Sequence, residues 1–191
     1  MRIAIIQGHP DASETHLGHA LARAYADAAE KTGHEVRNII VAQLAVPLLY
    51  TKDEWQNGEV PETVMAAQDV MMWADHLLIV HPLWLGSMPA SFKAFLEQVS
   101  RPDFTVVRGS KGALKRLSGR SARVVLTMGM SGLLYRFYFM AQGLKSLVRN
   151  ILKFAGISPV STTVVGMVEG RHNRVESKWL PLMRRYGALA I

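Results

Sequence analysis

Apolar residues follow two patterns that alternate along the chain: short continuous runs, and longer stretches with helical spacing. The short runs are typical of strands buried on both faces of a parallel sheet. They predict strands at residues 2–7, 34–41, 77–81, 120–127 and 157–165. The longer stretches predict helices from Thr15 to Gly33, from Pro61 to Trp73, from Pro89 to Val99, over residues 144–155, and over residues 174–186 with a kink at Pro181. Residues 42–60 and 101–119 show no clear period and are expected to be irregular connections.

The alternation of strands and helices predicts an α/β fold, with a five-stranded parallel sheet and helices on both faces. A chain of 191 residues is expected to form it as one domain, residues 1–191. The flavodoxin-like strand order 2-1-3-4-5 is the topology we expect. This order brings the carboxyl ends of the first, third and fourth strands to one crevice, where open α/β sheets bind ligands. Unusual loops follow all three strands, at residues 8–15, 82–88 and 128–132.

The first of these loops ends at the start of a predicted helix. Free N–H groups and the helix dipole favour a phosphate there, and His9, Thr15 and His16 can add polar groups. The alternative is an ordinary helix start capped by Thr15. His16 and His19 lie one helical turn apart, but without a third ligand in the sequence we expect a surface pair and no metal.

The second and third loops are suited to a flat apolar ligand. Trp84 and Leu85 make residues 82–88 too apolar for an ordinary solvent loop, and Trp84 can stack on a ring, although it could also plug the end of the sheet. Small residues at 127–132 allow close approach of the backbone to a ligand. The Phe- and Tyr-rich segment 133–140 must then line a pocket, a dimer interface, or both.

Charge and composition narrow the classes of function. The chain has 22 basic and 15 acidic residues, a net charge of +7, which favours anionic ligands or an acidic surface. No segment resembles a nucleic-acid-binding module, so nucleic acid is not an expected partner. The absence of cysteine excludes disulfides, thiolate metal sites and cysteine nucleophiles. No apolar run is long enough for a signal peptide or a membrane span, so a cytoplasmic protein is expected.

Three stretches together resemble one family. HPLWLGSMPASFKAFLEQV is similar to the flavin loop and following helix of the NAD(P)H:quinone oxidoreductases, with their Phe-Pro-Leu-(Gln/Trp)-Trp…Pro-Ala…Lys pattern. GHPDASETHL resembles the phosphate loop of that family. TMGMSGLLY resembles its Thr-Thr-Gly-Gly-Ser-Gly-x-x-Tyr stretch. The stretches occur in the family's order and spacing over nearly the whole chain.

The resemblance implies a flavoprotein that transfers two electrons, as hydride, from NADPH or NADH to a quinone-like acceptor by a ping-pong mechanism. The implied cofactor is FMN or FAD, with FMN favoured slightly, and a homodimer would close the pocket. Tyr135 matches the family's active-site tyrosine, while Gln142 stands near the position of its partner histidine. The implied cofactor-binding residues are His9, Thr15, His16, Leu17, Pro82, Leu83, Trp84, Leu85, Thr127, Met128, Gly129 and Met130.

Two other functions remain open at this stage. Similar proteins act as ancillary regulatory subunits of glutathione-gated potassium-efflux transporters, and the basic surface could then dock on an acidic membrane partner. An electron-carrier flavodoxin is less expected, because such proteins are typically acidic whereas this chain is basic.

Overall fold

The central sheet has five parallel strands. The computed structural model describes residues 1–13, 16–102, 104–109, 112–169 and 172–191. The described residues form seven strands in all, five of which make up this sheet: β1 (Arg2–Gln7), β2 (Glu35–Ile40), β3 (His76–Pro82), β4 (Val106–Gly109), β5 (Gly112–Lys115), β6 (Ser121–Thr127) and β7 (Val160–Val165). The sheet order is β2-β1-β3-β6-β7, while β4 and β5 form a separate antiparallel pair. Counted along the sheet strands alone, this is the order 2-1-3-4-5, so the predicted fold class is confirmed.

Helices cover both faces of the sheet. They are α1 (Leu17–Lys31), α2 (Lys52–Asn57), α3 (Glu62–Trp73), α4 (Ala90–Val99), α5 (Gly132–Phe137), α6 (Gln142–Lys145) and α7 (His172–Leu189). A 3₁₀ helix spans Val41–Gln43, and a π-helical segment, Ser146–Leu152, continues α6. One apolar cluster lies between the sheet and α3, α4 and the α6 region. A second lies between the sheet and α1 and α7.

The middle of β3, residues 77–80, is apolar at every position because the sheet is covered on both faces there. Leu77 and Ile79 belong to one apolar cluster, whereas Leu78 and Val80 belong to the other. All four are at most 3 % exposed. Because successive side chains of a strand point to opposite faces, a strand covered on both sides needs apolar residues throughout.

The structure corrects the two predicted connections. Residues 42–60 contain the end of the 3₁₀ helix and the whole of α2, whose Thr51 side chain accepts a hydrogen bond from the backbone N–H of Glu54. This Thr-x-x-Glu pattern is a helix-start signal that the sequence analysis overlooked. Residues 101–119 contain the β4–β5 hairpin. The last helix is also longer than predicted and contains Pro181, where the expected kink stays a prediction.

Two further boundaries differ from expectation. The N-cap position of α1 is His16 rather than the predicted Thr15, which lies outside the described residues. The predicted helix over residues 144–155 begins at Gln142 and turns π-helical after Lys145. In the described part of the chain, no helix combines the length and the apolar character needed to cross a bilayer.

Candidate functional site

The carboxyl ends of β1, β3 and β6 lie side by side, as the topology predicts. Gln7 pairs with Val80 across β1 and β3, and Pro82 pairs with Thr127 across β3 and β6. Two backbone hydrogen bonds extend this pairing into the loops: Gly8 N–H donates to Val80 O at 2.8 Å, and Leu83 N–H donates to Thr127 O at 2.8 Å. A cavity of only about 10 Å³ lies at the junction. A ligand larger than water must therefore lie on the loops above it.

The first loop carries a cluster of histidines at the start of α1. The ring centroids of His9 and His16 are 3.9 Å apart, and those of His9 and His19 are 5.4 Å apart. Asp11 holds the His16 ring through a 2.7 Å Nε2–Oδ2 contact, which lowers the pKa of Asp11 to about 2. Desolvation lowers the pKa of His9. The described residues contain no group of side chains that could hold a metal ion.

This arrangement is suited to an anion. At the start of α1 the N–H groups of His19 and Ala20 donate to His16 O, whereas those of Leu17 and Gly18, directly beside the imidazoles, donate to no other described residue. Of the four residues predicted for the phosphate, the structure brings His9, His16 and Leu17 together. Leu17 is buried, so only its backbone can serve a ligand.

The second loop forms a tight turn that presents its central residues to solvent. Trp84 and Ser87 exchange two backbone hydrogen bonds of 2.9 Å, and the φ angles of Leu85 and Gly86 are positive. Trp84 is 51 % exposed and Leu85 is fully exposed. The N–H groups of Leu85 and Gly86 donate no hydrogen bond to any other described residue. Pro82 and Leu83 are half-buried beneath the turn.

The third loop offers its backbone rather than its side chains. Thr127 and Met128 are buried, and the place in the slot predicted for them stays a prediction. The carbonyls of Met128 and Met130 accept hydrogen bonds from Val168 and Met167. In contrast, the N–H groups of Gly129 and Met130 donate to no other described residue, and Gly129 is exposed.

A fourth segment, residues 166–169 after β7, completes the site and was missed by the sequence analysis. A side chain at Gly166 would come within 2.6 Å of Gly132 N, so glycine permits this segment to approach the third loop. The Glu169 carboxylate lies against Gly129, 3.0 Å from where a Cβ would stand. The predicted strand order could have pointed to this segment, because it places the strand that became β7 parallel to β6, so that both strands end at the same edge of the sheet.

Tyr135 and Gln142 do not meet at the crevice. Tyr135 is buried in the core, its hydroxyl accepts a 3.1 Å hydrogen bond from Leu144 N–H, and burial raises its pKa. A hydroxyl in this arrangement stabilises the connection between α5 and α6. Gln142 is exposed and lines a separate cavity. The catalytic roles that the resemblance implies for these two residues stay predictions.

His81, at the end of β3, was also not among the residues predicted for the site. It stands where the family pattern has phenylalanine, is 3 % exposed, and lies 5.3 Å from the Phe92 ring, centroid to centroid. Its Nδ1–H donates to Pro82 O at 2.9 Å, while Nε2 has no partner among the described residues. Burial lowers its pKa to about 4, so the ring is neutral at pH 7.

Large apolar side chains lie exposed beside the site. We define the aromatic face as the exposed residues Trp84, Leu85, Leu133, Leu134, Phe137, Tyr138, Phe139 and Met140. The backbone that follows the residues 133–140 of this face packs against the second loop, which carries Trp84 and Leu85. A Cβ on Gly143 would come within 2.3 Å of Gly86 O. So much contiguous apolar surface is typical of an interaction site.

Comparison with known proteins identifies the fold family and finds similar proteins that are named as oxidoreductases. A family described as having a flavodoxin-like fold matches residues 1–180. A Haemophilus influenzae protein named Uncharacterized NAD(P)H oxidoreductase is 24% identical over 170 residues, 87% of this chain and 84% of its own length. The FMN-dependent NADH:quinone oxidoreductase 1 of Colwellia psychrerythraea is 30% identical over 93 residues, 49% of this chain and 46% of its own. The structure of an NAD(P)H:quinone oxidoreductase from Methanothermobacter marburgensis superposes with a TM-score of 0.82 at 18% identity, covering 100% of this chain and 96% of that one.

The buried state of His81 predicts a specific loss of stability in acid. An unfolded histidine takes up a proton as the pH falls below about 6.5, whereas folded His81 does so only near pH 4. The free energy of unfolding should therefore fall by about 3 kcal/mol between these pH values on account of this residue. Urea unfolding of the wild type and of His81→Phe over this range measures the effect.

The phenylalanine variant isolates His81 from the other acid-sensitive groups. His76 is also buried, with a pKa lowered to about 4 by desolvation, and it remains in the variant. The wild type should therefore lose more stability than His81→Phe as the pH falls, with most of the difference developing below pH 6.5. If the free energy of unfolding fell by the same amount with pH in both proteins, His81 could not be a buried, neutral histidine.

Proposed function

Because this chain belongs to the family of proteins with a flavodoxin-like fold, we propose that it is a flavin-dependent NAD(P)H oxidoreductase. It binds FMN at the carboxyl ends of β1, β3 and β6 and passes two electrons, as hydride, to a quinone-like acceptor. The names of two curated relatives support the donor, and one of them supports both FMN and the quinone. The observation that carries the proposal is the set of free backbone N–H groups on the second and third loops, beside the exposed Trp84.

The first loop would hold the phosphate of FMN. The helix start at Leu17 offers N–H groups, and the imidazoles of His9 and His16 add donors around one small volume. Thr15 stays a predicted ligand, since it lies outside the described residues. Among the described residues, Asp11 is the one carboxylate within hydrogen-bond distance of His16. A bound phosphate would add further negative charge beside these histidines.

The second and third loops would hold the flavin ring. Trp84 provides an aromatic surface for packing, and the N–H groups of Leu85, Gly86, Gly129 and Met130 can donate to the polar edge of the ring. FMN, when bound, supplies the two-electron redox chemistry. The same N–H groups would stabilise the negative charge that develops on reduction, in the manner of an oxyanion hole.

The donor and the acceptor would use one open face in turn, which is the basis of the proposed ping-pong mechanism. The exposure of Trp84 and Leu85 leaves a flat surface on one side of the site, and no side chain of these loops covers it. A planar nicotinamide and a planar quinone place similar demands on such a surface. The transporter-docking role stays a prediction that rests on the resemblance to such ancillary subunits and on the basic charge of the chain.

A second copy of the chain would cover the aromatic face. Phe137 and Tyr138 are 76 % and 75 % exposed, and neither is involved in the core of its own chain. Such residues are typical of the buried centre of a protein–protein interface. With residues 133–140 of the face against a second copy, a two-fold dimer would border the flavin site and limit the access of water, while the side at Trp84 and Leu85 stays open to the nucleotide and the acceptor.

We expect Trp84→Ala to weaken FMN binding by about tenfold or more, because stacking on an aromatic side chain contributes about 1–3 kcal/mol. Titration of the flavin-free protein with FMN, followed by quenching of flavin fluorescence, measures the dissociation constant. Quinone-dependent oxidation of NADPH and NADH then tests the loaded protein.

Trp55→Ala is the matched control, since Trp55 lies on α2 and lines a different cavity. It should leave FMN affinity unchanged. A wild-type protein that takes up no FMN, or that takes it up but oxidises neither nucleotide, would contradict the proposed function. Equal effects of the two tryptophan substitutions would contradict the placement of the flavin beside Trp84.

If the aromatic face is a dimer interface, we expect that one charged substitution within it dissociates the dimer. Phe137→Asp places a carboxylate at the centre of the interface, where an unpaired buried charge is strongly unfavourable. Sedimentation velocity should show a dimer for the wild type and a monomer for this variant. Leu48→Asp, at another exposed apolar residue outside the face, should remain dimeric. A monomeric wild type, or a dimeric Phe137→Asp, would contradict this interface.

A further inference from the structure

A cavity beside the flavin loops has no role in the function proposed so far. It has a volume of about 490 Å³ and lies among α5, the α6 region and the edge strand β7. This volume lies within the range of small-molecule sites, about 300–1,000 Å³. Gln142 lies at its wall, and Thr162 on β7 forms the opposite side.

The charged residues that line this cavity are all basic. Arg136, Lys145 and Arg149 line it, and no carboxylate is among its described lining residues. All three cations are exposed, and none forms an ion pair with another described residue. Lys145 and Arg149 are four residues apart on one helical segment, a spacing at which like charges repel. Cations held together without a counter-charge are expected where an anionic ligand binds.

The position of the cavity connects it to the flavin face. Gln142 begins α6, and the next residue, Gly143, packs its backbone against Gly86 of the second loop. Arg136 belongs to α5, which begins at Gly132 directly after the third loop. One cationic wall therefore begins at the third loop, and the helix that carries the other packs against the second loop.

We propose that this cavity binds the phosphate-bearing adenosine end of the nicotinamide nucleotide, and that NADPH is the preferred electron donor. The diphosphate of NADH carries two negative charges, whereas the additional 2′-phosphate of NADPH adds about 1.5 to 2 more, as other phosphate monoesters do near pH 7. Three unpaired cations match the more highly charged nucleotide. Half-buried Val148 in the same wall offers an apolar surface for adenine. This inference rests on the proposed function and specifies its donor.

The test compares the two nucleotides on the FMN-loaded protein. Anaerobic reduction of the bound flavin by NADPH and by NADH is followed at the flavin absorption band, for the wild type and for Lys145→Gln/Arg149→Gln. The wild type should favour NADPH in the second-order rate constant of flavin reduction by about tenfold or more, as expected for charge-assisted contacts to one phosphate. The double variant should lose most of that preference through a higher dissociation constant for NADPH, with NADH little affected. Calorimetric binding of 2′,5′-ADP should weaken by about the same factor.

Lys153→Gln is the matched control, because Lys153 is an exposed cation close in sequence that does not line the cavity. It should keep the wild-type preference and the wild-type affinity for 2′,5′-ADP. Equal use of NADPH and NADH by the wild type, or a double variant that behaves like Lys153→Gln, would overturn the inference and leave the proposed function intact. Failure of both nucleotides to reduce bound FMN would instead contradict the proposed function, and this inference with it.

Discussion

The pairing of β3 with its two neighbours is the constraint on which the site depends. Its register places Gln7, Val80 and Thr127 at one edge of the sheet, so the loops that follow begin within hydrogen-bond distance of one another. A shift by one residue would exchange the side chains of β3 between two apolar clusters packed to fit different shapes, and would move the loops out of hydrogen-bond reach of one another. Because both faces of this strand are covered, the apolar core and the geometry of the site are maintained by the same contacts.

The site that results is built mainly from backbone. Among the described residues of the second and third loops, the groups free to bind a ligand are the N–H donors of Leu85, Gly86, Gly129 and Met130, and these depend on loop shape rather than on side-chain type. Such a site would allow the chain to differ from the family pattern at Leu85 without losing the proposed contacts to the flavin ring. It also leaves the histidine cluster, Trp84 and Glu169 as the side chains that distinguish this site.

The sequence predicted the parts of the fold that depend on local pattern. Continuous apolar runs such as Leu77–Val80 indicated strands buried on both faces, and strand order followed from general rules of chain connection. The β4–β5 hairpin was missed because its residues lack the alternation of a half-buried strand. Residues in contact only through the tertiary structure were also beyond prediction: Glu169 lies 40 residues from Gly129 in sequence. Tyr135 was expected at the ligand because of its resemblance to the family's tyrosine, and no local signal in the sequence shows that its hydroxyl accepts a hydrogen bond from Leu144 N–H.

Three surfaces meet around the second loop: the histidine cluster, the aromatic face and the cationic cavity. Their chemistry suits a phosphate, a flat ring closed by a second chain, and a phosphorylated nucleotide, in that order. Native mass spectrometry of the protein purified from cells tests this account most directly, since it reports the cofactor and the number of chains together. The account predicts two chains carrying two molecules of FMN. A single chain without flavin, unchanged after incubation with excess FMN, would contradict it.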